Sequence, residues 1–127
     1  IAGSTRLKAG SATKMVLNML TTISMVRIGK TYGNLMVDVQ TGSEQRRDRA
    51  RSIITTVTGL HYDAAGALLR RAHWNVKAAI VMQKTGDTYI KALTRLKRAD
   101  HFVRNAIGEG VNTPLPKPQA EGSDETR

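Results

Sequence analysis

Residues 58–86 read TGLHYDAAGALLRRAHWNVKAAIVMQKTG, and 27 positions later the pattern returns as TGDTYIKALTRLKRADHFVRNAIG over residues 85–108. The frame needs no gap. Thr58-Gly59 falls on Thr85-Gly86, Tyr62 on Tyr89, Ala65 on Ala92, and Leu69 on Leu96. Arg71-Ala72 falls on Arg98-Ala99, Val76 on Val103, and Ala79-Ile80 on Ala106-Ile107. Apolar residues three and four apart predict helices, and the polar breaks between them predict turns. Each unit therefore reads as helix, break, helix. The first covers Tyr62 to Ala72 and then Asn75 to Lys84, with Asn75 capping and Gly86 terminating. The second covers Thr88 to Ala99, capped by Asp87, and then about His101 to Ile107. One helix pair cannot bury its own apolar face, so the units are expected to stack on their neighbours.

Ahead of the repeat, Thr41-Gly42-Ser43 marks a break, and Ser43 can cap a helix from about Glu44 to Thr58. Its apolar side is Ala50, Ile53, Ile54 and Val57. Arg46, Arg47, Asp48 and Arg51 are expected to face water. Tyr32 to Gln40 has no helical period and reads as extended, with Asn34 and Asp38 suited to turns and caps. Residues 11–30 read as one long helix capped by Ser11. Met15, Val16, Met19, Leu20, Ile23, Val26 and Ile28 lie at helical spacings, and Leu17 and Met25 widen the apolar face until it looks buried on most sides. Such a helix implies a partner surface, and Asn18 reads as a satisfied core amide. The fold class is all-α.

Gly3-Ser4-Thr5-Arg6-Leu7-Lys8-Ala9-Gly10-Ser11 leads into that helix. Its glycines, hydroxyls and cations read as a loop that holds an anion at a helix start, where unpaired N–H groups and the dipole favour negative charge. Ser4 and Thr5 can donate hydroxyl hydrogens, Arg6 offers a planar fork that would either brace the loop or touch the anion, and Lys8 supplies a point charge. The spacing does not fit a nucleotide P-loop.

The chain has no cysteine, so disulfides, thiolate metal sites and cysteine nucleophiles are excluded. His61, His73 and His101 lack metal-ligand spacing, and the ten acids are scattered. No catalytic residue, metal or cofactor is expected within these 127 residues. The net charge is +10; residues 1–111 carry +11, and the last sixteen residues, with two cations and three acids, carry −1. Such charge suits anionic substrates, acidic surfaces or nucleic acid, but aromatic stacking platforms are few. Specific nucleic-acid binding is therefore not expected. No apolar run reaches the ~20 residues that cross a bilayer, so no membrane partner is expected. Residues 109–127, with Pro114, Pro116 and Pro118, read as a disordered tail.

Residues 3–14, GSTRLKAGSATK, resemble the signature segment shared by N-acetylmuramic acid 6-phosphate etherases and the glucokinase regulatory protein. The likeness continues through Leu17 to Leu20, Tyr32 to Val39, Arg49 to Arg51, Thr58-Gly59 and Asn75 to Met82, and it favours the etherase branch. The resemblance implies a cytoplasmic sugar-phosphate lyase that releases D-lactate from N-acetylmuramic acid 6-phosphate. It also implies that two catalytic glutamates lie in a sugar-isomerase (SIS) domain upstream. This chain would then be a C-terminal third, inactive alone and working as a homodimer with that upstream domain. Residues 1–42 would close the SIS domain and 43–108 would form a small UBA-like bundle. Ser4, Thr5, Lys8 and Arg6 would bind the sugar phosphate. His61 and His73-Trp74 depart from the family pattern in that bundle. A basic helical nucleic-acid module and a non-catalytic dimerisation domain are the alternatives.

Overall fold

The computed structural model describes residues 2–109. The chain order is α1 (Thr5–Arg27), β1 (Thr31–Tyr32), β2 (Leu35–Met36), α2 (Glu44–Thr58), α3 (Tyr62–Arg71), α4 (Val76–Thr85), α5 (Tyr89–Arg98) and α6 (Val103–Ala106). The architecture is all-α, with one antiparallel hairpin that pairs Thr31 with Met36 and Tyr32 with Leu35. Apart from Glu109, the segment read as a tail lies outside the described residues.

The repeat is visible in the backbone. Helices α3 and α5 begin and end 27 residues apart, at Tyr62 and Tyr89 and at Arg71 and Arg98. Ahead of them, Gly59 and Gly86 cap α2 and α4 in the left-handed region at φ 74° and 73°. Thr58 and Thr85 each donate back to the carbonyl four residues earlier, and each hydroxyl then accepts the N–H two residues on. Past the helices, His73-Trp74 and Asp100-His101 all have positive φ, and the N–H of Trp74 and of His101 closes onto the carbonyls of Leu69 and Leu96. Four non-glycine residues in a sparsely populated conformation therefore sit at two equivalent turns.

Helix α2 has the bounds and buried face expected, with Ser43 accepting from the Arg46 N–H. Asn75 likewise caps α4 by accepting from the Ala78 N–H. Helix α4 is the centre of the molecule: Val76 to Met82 are all buried, and it touches α2, α3, α5 and α6. Ile54, Leu69, Ile80, Val57, Val76, Val81 and Val103 fill the core around it. Tyr32 and Val37 from the hairpin segment join the same core. At the junction, Gly29 lies against the turn after α5. A Cβ there would come within 3.1 Å of the His101 carbonyl oxygen, and its φ is +72°. Lys77 donates to that same carbonyl at 3.3 Å, and burial pushes its ammonium pKa down.

Several expectations are corrected. Helix α1 begins at Thr5, not after Ser11, because Gly10 sits among good helix formers and is absorbed. The predicted loop is thus the first two turns of the helix. Nor is α1 buried: it has no buried residue, and Asn18 is exposed with its neighbours. Nine large apolar side chains from Leu7 to Val26 are between 36% and 61% exposed. Asp87 does not cap α5, since its carboxylate takes the Arg95 Nε instead and Thr88 stands at the cap position. Arg51 is half-buried and paired, not simply facing water. It binds Glu44 at 3.2 Å and Asp48 at 2.5 Å, and its guanidinium lies 5.4 Å from the Trp74 ring centroid. Glu109 is held, accepting from the Tyr32 hydroxyl at 2.5 Å.

Candidate functional site

The residues expected to bind an anion come together at the free end of α1. Ser4 takes the N-cap position with extended backbone, and its side chain makes no capping hydrogen bond. The Lys8 N–H closes the first helical turn onto the Ser4 carbonyl at 3.2 Å. The N–H groups of Thr5, Arg6 and Leu7 precede that bond and have no acceptor within the helix. Thr5 and Lys8 are three residues apart and share a face, whereas Arg6 is turned about 100° from Thr5. Lys8 also lines a shallow concavity of about 330 Å³ with Leu7, Ser11, Ala12 and Met15. The structure therefore groups Ser4, Thr5 and Lys8 and sets Arg6 to one side.

Electrostatically this end is wholly positive. No acidic residue lies in the first turn of α1, and the first acid in the sequence is Asp38. Among the described residues, Arg6 and Lys8 form no salt bridge. The arrangement can attract and hold an anion. Among the described residues, nothing at this end supplies the acid and base of a proton-transfer reaction, since Asp and Glu are absent from residues 2–37. Asp38 is paired with Lys30 at 3.0 Å near the opposite end of α1. Asn34 lines a separate small concavity with Thr21, Thr22 and Met25.

The remaining titratable groups serve the bundle. Asp48 accepts from the Tyr62 hydroxyl and from Arg51, and these bonds hold its carboxyl below the usual range. The Tyr32 hydroxyl is pushed far up, first by burial and then by its bond to Glu109. His73 stacks on Tyr89 at 4.7 Å between centroids. Among the described residues, no group of three His, Cys, Asp or Glu could hold a metal. No helix there is long and apolar enough to cross a membrane. Sequence reasoning missed two features. One is the stack of Arg47 and Arg51 on Trp74, which joins residues more than twenty positions apart. The other is a basic cleft beside α5, whose signal lies in the repeat itself.

Comparison with known proteins places this geometry in context. No family model matches the sequence. The chain is 48% identical over 107 residues to an N-acetylmuramic acid 6-phosphate etherase of Alkaliphilus metalliredigens, covering 84% of this chain and 35% of that protein. Etherases of the same name from Bacillus cereus and Bacillus anthracis are 50% identical over 107 residues, with 36% of each covered. The chain thus spans about a third of the length of the curated relatives it matches.

Proposed function

We propose that this chain is the C-terminal part of an N-acetylmuramic acid 6-phosphate etherase, a lyase that cleaves the D-lactyl ether to N-acetylglucosamine 6-phosphate and D-lactate. The observation that carries the reading is the similarity to etherases over 84% of the chain. The start of α1 supports it, because such a substrate bears a phosphate and a carboxylate. Ser4, Thr5 and Lys8 hold one of these anions, and Arg6 braces the helix start or adds a contact. Ether cleavage also needs an acid and a base. Residues 2–37 contain neither Asp nor Glu, so both groups come from a preceding SIS domain. That domain, or a second subunit of a homodimer, covers the apolar side of α1 that is exposed here. Residues 1–42 belong with the SIS domain, and 43–108 form a UBA-like bundle beside it. The enzyme works in the cytoplasm, in recycling of cell-wall amino sugars.

The test is an affinity measurement in an intact etherase carrying these residues. Lys8→Ala should weaken sugar-phosphate binding by roughly 1.5–3 kcal/mol, the worth of a charge-assisted hydrogen bond. Thr58→Ala, at the C-terminus of α2 in the bundle, should leave it unchanged. Equal affinities for the Lys8 variant and the parent would remove the start of α1 from the site.

A further inference from the structure

The two helical units share a backbone but not a surface. In the 27-residue frame, Ala64, Ala67, Leu68 and Ala78 of the first unit become Lys91, Thr94, Arg95 and Asn105 of the second. Leu68 and Ala78 are buried in the core, whereas Arg95 and Asn105 are exposed and line a cleft of about 550 Å³ between α5 and α6. Lys91, Thr94, Arg95 and Arg98 stand at i, i+3, i+4 and i+7, so they form one stripe along α5, with Asn105 across from it. Arg98 has a counterpart in Arg71, and a cation near a helix C-terminus is favourable in either unit. Lys91, Thr94, Arg95 and Asn105 have none, so the repeat fold does not require them.

The donors are of mixed kinds, an ammonium, a guanidinium and a carboxamide, while the Thr94 hydroxyl donates to the Ile90 carbonyl at 3.0 Å. Among the described residues Asp87 is the single carboxylate lining the cleft, and it is engaged by the Arg95 Nε. With that pair neutralised, Lys91 and Arg98 leave two positive charges facing the space. Among the described residues no aromatic side chain lines it, so they offer no stacking platform for nucleic-acid bases. The volume suits a small molecule. A phosphate monoester has about two negative charges and three terminal acceptor oxygens, which matches two cations and a carboxamide donor better than a carboxylate does.

We propose that the cleft between α5 and α6 binds the phosphate group of a small phosphorylated molecule. Lys91 and Arg98 supply the charge, and Asn105 donates the neutral hydrogen bond. This site lies on the bundle, separate from the start of α1, and does not rest on the etherase reading.

Amide shifts of the ¹⁵N-labelled full chain, titrated at about 50 mM sodium chloride to limit screening, provide the test. The probes are inorganic phosphate, glucose 6-phosphate and acetate. Saturable shifts at Thr94 and Asn105 with a phosphate probe, and none with acetate, are expected. Saturation by inorganic phosphate assigns the site to the phosphate group alone, and saturation by the ester alone assigns it to an esterified ligand. Lys91→Ala and Arg98→Ala should each weaken binding about tenfold or more. Lys97→Ala, exposed on α5 but outside the cleft lining, should leave it within about twofold. Unchanged core amide shifts would show that the variants fold. Non-saturating shifts, equal shifts with acetate, or undiminished affinity in a Lys91→Ala/Arg98→Ala double variant would overturn the assignment.

Discussion

Helix α1 and helix α4 are both rich in apolar residues, yet one has no buried residue and the other is buried from Val76 to Met82. Composition does not separate them. What separates them is the supply of neighbours: α4 is surrounded by four helices of its own chain, whereas α1, which ends before Gly29, has no extensive packing against any of them. An apolar face records a contact without saying which polypeptide provides it. The bundle is self-sufficient, and α1 presents a surface that monomeric proteins rarely leave open.

The largest test of that contrast compares matched truncations. Leu69→Ala, in the bundle core, should cost about 2–5 kcal/mol by urea titration. Leu20→Ala, on α1 and 59% exposed, should cost less than about 0.5 kcal/mol in the same chain. Similar losses at both positions would mean that α1 is buried after all. At the junction between the two regions, Gly29→Ala should cost about 1–3 kcal/mol, because it combines positive φ with a Cβ crowding the His101 carbonyl. A change below about 0.3 kcal/mol would show that the junction yields freely.

The smallest effect belongs to acid. Asp48 is held below the usual carboxylate range in the folded chain, so its contribution to stability is complete at neutral pH. It is lost as pH falls through the unfolded value near 4 and on toward the lower folded one. Because Asp48 is fully exposed the effect is small. Asp48→Asn should flatten the decline of Tm between about pH 5 and 3 relative to the parent, and parallel curves would contradict the pairing with Tyr62 and Arg51.

Much of the bundle was legible because local signals agree with one another there. The Ser43 cap, the spacing of Ala50, Ile53, Ile54 and Val57, and the glycines at 59 and 86 each point to the same boundaries. The start of α1 was not legible, since Gly10 and the hydroxyls around it mimic a loop while Arg6, Leu7, Lys8 and Ala9 favour a helix. Asp87 shows another limit: a carboxylate that could cap a helix was captured by Arg95 eight residues on. Arg51 looked like a surface cation because its partners Tyr62 and Trp74 become neighbours only when α2 packs on α3 and α4. The helical setting of Ser4, Thr5, Arg6 and Lys8, the residues proposed to bind an anion, was not legible.

The central claim is that this chain supplies binding groups to a reaction whose acid and base lie elsewhere, and release of D-lactate from N-acetylmuramic acid 6-phosphate tests it most directly. The purified 127-residue chain should release none above a buffer blank, and the same residues joined to the SIS domain of a related etherase should support turnover. Release of D-lactate by the chain alone, or no turnover from the well-folded joined protein, would contradict the account.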